Sequence, residues 1–423
     1  MYMILLNLLL MSFVIGCGSG DFDGNTTSGF GSSEKQYVKQ LFEGPYLWYD
    51  HANTSIDPTP YTTPQALIEA YKYAKLDHWS FALTPEEYRE FLNQKGGGFG
   101  IGFTSDLRVK FVRIDAPAWG KILRGDTLVK VNGEPATPER LHTASIALGI
   151  SATFVLKRGE NTVTVSVTPK AYTYHVSLDR IYHLNGRTIG YLRYDSFSDS
   201  SDKELAERFK DFDAAGIDEL VVDLRYNGGG VVDRAIDLMG YISDAQPGEP
   251  AVHLAWNDRY RAYDTTYTFP SPPAPHAQGL TRVFFLVTRN SASASELAIH
   301  GLVPYLGDTN VITIGTATHG KNVGMAGVEH GGYYYFLINF YVKNAAESIS
   351  SAAGIPPTCS AEDDLGHALG DTNETLLKSA LYYIEHGACL PSPSPKRVGH
   401  TPRHIPSPLF VDGQRPFGGL VTP

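Results

Sequence analysis

Beyond Pro169 the chain alternates short apolar runs with longer amphipathic ones, and few architectures accommodate that alternation. RTIGYLRYDSF, IDELVVDLRYN, RVFFLVTRN and NVITIGTAT are strand-like, while DKELAERFKDFDAAG, GGVVDRAIDLMGYIS and SASELAIHGLVPYL carry helical spacing. Strands that are apolar at consecutive positions must be covered on both faces. The pattern therefore predicts βαβ crossovers around a buried, largely parallel sheet, an α/β fold.

Upstream the texture differs. From Gly96 to Pro169 short strands with glycine punctuation surround one helical run near PERLHTASIAL, which predicts a compact β-rich module. Between Tyr46 and Lys95, Pro64 opens one amphipathic segment and Thr84-Pro85-Glu86-Glu87 another, giving a small helical N-terminal region. The expected division is a signal segment at 1–17, a flexible Gly/Ser tether at 18–45 and helices at 46–95. The β-rich module at 96–170, the main α/β unit at 171–390 and a disordered Pro-rich tail at 391–423 complete it.

Composition narrows the chemistry. A net charge of -10 without a Lys/Arg-rich run argues against nucleic acid as a partner. The 14 histidines are scattered and no Cys-x-x-Cys is present, so neither a metal nor another cofactor is expected. The opening MYMILLNLLLMSFVIGCGSG is too short for a comfortable membrane span and suits a signal-peptide core. Its Val14-Ile15-Gly16-Cys17 resembles the bacterial lipobox, which implies lipidation of Cys17; a plain signal peptide with an incidental cysteine is the alternative. Ser19 stands where such lipoproteins tend to carry an Asp that retains them on the inner membrane. The expected location is the bacterial cell envelope, lipid-anchored at the outer membrane and facing the periplasm or the cell surface. Cys359 and Cys389 then remain, and an oxidising compartment invites a disulfide between them, with two free thiols as the alternative.

Three stretches carry the reactive groups. In 282-RVFFLVTRNSASASELAIHGL-302 a buried strand runs into a helix with serines at the turn. Ser293-x-x-Glu296 also fits a helix capping box, so this stretch alone does not distinguish a nucleophile from a cap. In 219-ELVVDLRYNGGGVVDRAIDLM-239 an apolar strand ends in three glycines, which let backbone approach a reacting group and donate N–H bonds to an oxyanion. In 315-GTATHGKNVGM-325, Lys321 follows a third apolar strand, and a desolvated lysine can accept a serine proton near neutral pH.

Two resemblances follow. Gly98-Phe99-Gly100-Ile101-Gly102-Phe103, then Leu123-Arg124-Gly125-Asp126 leading to Val131-Asn132-Gly133, resemble a PDZ domain of the bacterial protease type. That implies that Gly98 to Phe103 bind a terminal carboxylate through backbone N–H groups. The three reactive stretches after such a module resemble the carboxyl-terminal processing peptidases, or tail-specific proteases, over residues 96–388. The resemblance implies a core of crotonase/ClpP-like type and a serine endopeptidase with Ser293 as nucleophile and Lys321 as general base. Gly315, Thr318 and Gly320 match the lysine motif. Gly229 and Ala294 are implied as oxyanion donors, with Gly230 open as a substitute. Its partners would be protein or peptide substrates held by their C-termini. Met325 stands where that family commonly has a glutamine orienting the lysine, so a catalytically silent scaffold stays open as the alternative. Acyl-thioester chemistry of the crotonase kind is a third, disfavoured by the serine and lysine together. His319 occupies a position that is aromatic in the family, which implies packing. The downstream segment near Cys359–Ile384 resembles a lipoprotein subgroup of these peptidases.

Overall fold

A computed structural model of the chain describes residues 30–92, 95–270 and 275–391, together with the backbone of 420–421. Cys17, the signal segment, the start of the expected tether and most of the Pro-rich tail lie outside the described residues.

The N-terminal region contains helices α1 (Ser32–Glu43), α2 (Pro64–Tyr71) and α3 (Pro85–Leu92). Thr63 caps α2, its side chain accepting from Ala66 N, and Pro64 takes the first helical position, where its missing N–H is harmless. The tether expected through residue 45 is corrected: α1 occupies most of its second half. Val38, Leu41 and Phe42 recur at helical spacing and are buried, so they outweigh the Gly/Ser composition just before them. The short strand Phe81–Leu83, not expected, pairs with Tyr334–Phe336. Through it the N-terminal region shares a core with the main unit: Phe42, Tyr46, Leu67, Ile68 and Tyr71 pack with Met325, Tyr335, Phe336 and Ile338.

The β-rich module includes strands Ile101–Phe103, Val109–Val112, Thr127–Val131, Ala152–Arg158 and Asn161–Val167, with helix α4 (Pro138–Ile146). Its core is its own, built from Phe99, Ile101, Phe103, Val109, Leu128, Leu141, Phe154 and Leu156 among others. Chain enters and leaves it side by side, since strand Lys95–Gly98 pairs antiparallel with Lys170–Thr173.

The main unit has the expected largely parallel sheet. Strands Arg187–Tyr194, Glu219–Asp223, Val283–Val287, Val311–Gly315 and Cys359–Ser360 are successively parallel, and Ser177–Leu184 adds an antiparallel edge. Helices α5 (Ser201–Ala215), α6 (Val232–Ile242) and α7 (Ala294–Leu306) cover one face, and α8 (Thr375–His386) covers the other. Alternation sorts the side chains: Leu220, Val222, Val283, Phe285 and Val287 face α6 and α7, while Val221, Phe284, Leu286, Ile312 and Ile314 face α8. A second sheet joins Thr265–Thr268, Pro250–Trp256, Tyr333–Asn344 and Val323–His330, these four antiparallel to their neighbours in that order. Its Val252, Leu254 and Phe340 pack into the α6/α7 side of the core. Within the tail read as disordered, Leu420–Val421 pairs in parallel with Met325 and Ala326, a correction that an apolar end to a Pro-rich stretch explains.

Cys359 and Cys389 are joined in a disulfide, at a sequence separation of 30. It fastens the strand at Cys359, whose neighbour carries Ile314 and Gly315, to the chain leaving α8. Closing a loop of this size in the unfolded chain stabilises the fold by about 3–4 kcal/mol in the entropic account. Thiol trapping of native protein is expected to find neither cysteine free, and reduction to lower the melting temperature. Two alkylated cysteines without reductant would reject the bond.

Candidate active site

The three stretches singled out in the sequence meet at the C-terminal ends of adjacent parallel strands, where α/β sheets place their ligands. Strand Glu219–Asp223 leads into the Asn227–Gly230 turn, Val283–Val287 into the serines, and Val311–Gly315 into Lys321. Ser293 is the residue before α7 and has φ 57 and ψ -113. A non-glycine backbone of this kind costs on the order of 1–3 kcal/mol and persists only where its surroundings hold it.

The surroundings here centre on Glu296, buried to 1% exposure in the first turn of α7. Its Oε2 accepts from the amides of Ser293 and Lys321, each at 2.9 Å. Oε1 accepts from the Thr318 hydroxyl and the Gly320 amide, each at 2.6 Å. Because one oxygen binds both amides, the Ser293 and Lys321 nitrogens are no further apart than twice the bond length. The glutamate read as half of a capping box thus also gathers the lysine loop. Gly320 has φ +95, and a Cβ there would meet the Ala352 carbonyl at 2.2 Å, so the bend that delivers Lys321 requires glycine.

Ser293, Ala294 and Lys321 line one cleft with Val232, Leu297 and Val342, and with His300 and Lys343 on its wall. Lys321 is only 4% exposed. Burial lowers its pKa from the usual lysine value to about 7, against the opposing pull of Asp77 and then Glu296. That Asp77 and Trp79 reach this lysine from the N-terminal region was not legible in the sequence: the Lys321 Nζ lies 5.8 Å from the centre of the Trp79 ring. Met325, the position without the expected glutamine, is fully buried in the core shared with the N-terminal helices. His319 is exposed and lies edge-on to Trp79 at 6.2 Å, with its Nδ1 3.3 Å from the Arg289 carbonyl.

The flanking serines face the other way. Ser291 donates to the Leu224 carbonyl at 2.8 Å and Ser295 to that of Asn227 at 2.9 Å, so both brace the glycine turn against α7. The turn comes so near that a Cβ on Gly229, at φ +105, would meet the Ser293 Cβ at 2.9 Å and the Ala294 nitrogen at 3.0 Å. One expectation shifts at this point. The Gly229 N–H, expected to face an oxyanion, donates to Asn227 Oδ1 at 2.9 Å. Gly230 bridges to Phe197 through its neighbours' groups, with Phe197 N donating to Gly229 O and Val231 N to Phe197 O, which turns Gly230's own N–H away from Phe197.

Behind the turn, Arg225 is buried at 1% exposure. It forms a forked pair with Glu374 at 2.7 and 2.8 Å and also binds Asp223 and Asp363. Tyr226 extends to the β-rich module, where it meets Phe111, Lys110 and Arg124, the last at 2.5 Å, while Arg124 also binds Asp363 at 2.6 Å. In the Gly98–Phe103 segment the side chains of Phe99, Ile101 and Phe103 are buried in the module's own core, so only backbone there is left to meet a ligand.

A model of peptidase family S41 matches residues 188–361, and one of the peptidase S41 N-terminal domain matches residues 33–81, together more than half of the chain. The chain belongs to peptidase family S41. Among curated relatives of this S41 member, a carboxyl-terminal-processing protease of Picosynechococcus is 22% identical over 58% of this chain and 60% of its own. A protein of Staphylococcus aureus named as a CtpA-like serine protease is 26% identical over 61% of this chain and 52% of its own. The S41 chain thus spans between half and two thirds of the relatives it matches. In fold it is similar to an S41 protease structure from Bacteroides fragilis, with a TM-score of 0.70 and 24% identity over 83% of this chain and 97% of that one. The photosystem II D1 C-terminal processing protease superposes with a TM-score of 0.50 and 17% identity, covering 80% and 94%. The fold is therefore that of S41 peptidases, mixed α/β sheets with a helical N-terminal region. Among the described residues, no helix is long and apolar enough to cross a membrane, and no group of three or more His, Cys, Asp or Glu side chains is placed to hold a metal.

Proposed function

We propose that the chain is a serine endopeptidase with a Ser293–Lys321 dyad, acting on protein substrates chosen by their C-terminal tails. The observation that carries this reading is the shared Glu296 oxygen, which fixes the backbone of a strained serine beside that of a buried lysine at one cleft. Lys321, as the neutral amine, takes the Ser293 proton while the serine oxygen attacks the scissile carbonyl; the protonated lysine then gives that proton to the leaving amine. Water repeats the sequence to release the acyl group. The Ala294 N–H at the start of α7 is one oxyanion donor. The second comes from the glycine turn, either Gly230 or Gly229 once Asn227 releases it.

In this reading the core is of crotonase/ClpP-like type and the β-rich module is a PDZ domain whose Gly98–Phe103 backbone receives the substrate carboxylate. Its strand order and single helix support that assignment. Lipidation at Cys17 would hold the enzyme at the outer membrane within the cell envelope, facing the periplasm or the surface. A fluorophosphonate probe should label Ser293 alone, and an unfolded peptide with an apolar free carboxylate should be cut faster than its C-terminal amide. Absence of both labelling and cleavage would support the silent scaffold instead; equal cleavage of acid and amide would remove the tail selection only.

A further inference from the structure

The N-terminal region delivers a side chain to the reactive lysine. Trp79 sits on a short segment between α2 and strand Phe81–Leu83, and Asp77 pins that segment. The Asp77 carboxylate is fully buried and accepts from Tyr46 OH at 2.8 Å, Trp79 N at 3.0 Å, Ser80 N at 2.9 Å and Ser80 Oγ at 2.6 Å. Ser80 in turn accepts from Ile338 N at 3.1 Å, and the following strand is paired into the second sheet. A ring on so tightly held a backbone has little freedom. It is half-buried, with Lys321 Nζ within cation–π range of its face. The cleft is lined from α6, α7, Lys321–Asn322, the end of strand Tyr333–Asn344 and Ser350, and Trp79 is not among its walls. The ring therefore approaches the lysine without itself lining the cleft.

We propose that Trp79 is a positioning residue of Lys321, an indole on a backbone pinned by Asp77 that shields the lysine from water. The inference rests on the reading of Lys321 as general base. Two effects of the ring oppose each other. Exclusion of water disfavours the ammonium, whereas the π face favours it, and burial outweighs the pull of Asp77 and Glu296 on this lysine. The charged groups around the amine are Asp77 on the N-terminal side and Glu296 on α7, with His300 and Lys343 on the cleft wall and His319 edge-on to the ring.

Replacing Trp79 by alanine lets water reach the amine, so the lysine should titrate higher. Trp79→Leu keeps an apolar cover without the π face and should leave the titration near that of the wild type. The test follows two readouts across pH 5 to 11. One is the acetylation rate of Lys321 by acetic anhydride, followed by peptide mass spectrometry. The other is the rate of fluorophosphonate labelling of Ser293. In Trp79→Ala both midpoints should move alkaline by about one unit or more, a loss of about fivefold or more in labelling near pH 7 that is recovered at high pH. Trp79→Leu should track the wild type, and it carries the test should the alanine variant fail to fold, since a shift of its midpoint by a unit would overturn the proposal. A lower rate at every pH with an unmoved midpoint in Trp79→Ala would assign the ring a structural role only and also overturn it. Failure of the wild type to label, with the acetylation midpoint still displaced by Trp79→Ala, would instead sink the peptidase reading while leaving the shielding intact.

Discussion

Lys321→Ala is expected to abolish peptide cleavage, with a loss of at least about a thousandfold, and Lys321→Arg to do the same. A serine hydroxyl at neutral pH needs a neighbour to accept its proton, and a guanidinium cannot. Ser293→Ala should match both and the double variant should be no worse, because members of a catalytic unit do not add. In the wild type, activity should rise with pH through one ionisation near the lysine value of about 7, since the neutral amine is the active form. The same burial has a stability signature of opposite benefit. An unfolded lysine holds its proton up to about pH 10.4. Between about 7 and that value the unfolded chain binds more protons than the folded one, so stability rises with pH across this window. Below it both states are protonated and the burial penalty is at its largest. Lys321→Met should therefore raise the urea midpoint at pH 7 while eliminating cleavage, and its advantage should shrink toward pH 10. Cleavage by Lys321→Ala at near the wild-type rate would refute the dyad.

Glu296→Ala should be the most damaging substitution that touches neither reacting atom. It removes a fully engaged buried carboxylate and leaves four donors, the amides of Ser293, Gly320 and Lys321 and the hydroxyl of Thr318, without their acceptor. Breaking a buried charge-assisted cluster of this kind costs about 3–5 kcal/mol. Glu296→Gln is not a gentle replacement, because whichever oxygen becomes NH2 then confronts two donors. Both variants should lower the urea midpoint and reduce cleavage by about a hundredfold or more even where circular dichroism shows a folded chain. The serine backbone and the lysine loop are no longer held to one point. Unchanged midpoints would show that the carboxylate organises nothing.

The parallel sheet was legible because strands such as VVD and VFFLV are apolar on both faces, which leaves few options. Ser293, Lys321 and the glycine turn were legible for a different reason: each follows such a strand, and α/β sheets gather their strand ends. Other parts were hidden for physical reasons. The strand Tyr333–Asn344 mixes aromatic and polar residues without clean alternation, since its two faces meet different cores and solvent. Trp79 could not be found from its own stretch, because DHWSFAL has neither helical nor strand period and its role exists only through a partner more than two hundred residues away. The partner of the Gly229 amide was not legible, because motif logic places a glycine near an oxyanion without saying which way its N–H points. That direction is set by the Asn227 side chain.

The antiparallel pair at the neck of the β-rich module bears on how such a chain can be rebuilt. With Gly97 opposite Ala171, the polypeptide departs and returns at one spot, and the excursion between carries its own core. Such a segment can be cut out and its stumps joined by a short turn, or exchanged for another domain, with the sheets left in place. Helices α1 and α2 offer no such freedom. Their apolar faces are the other half of a core whose first half is Met325, Tyr335, Phe336 and Ile338. Grafting this peptidase onto a new recognition domain is therefore a matter of two neighbouring junctions, near residues 97 and 171, and trimming it from the front removes the floor beneath its lysine.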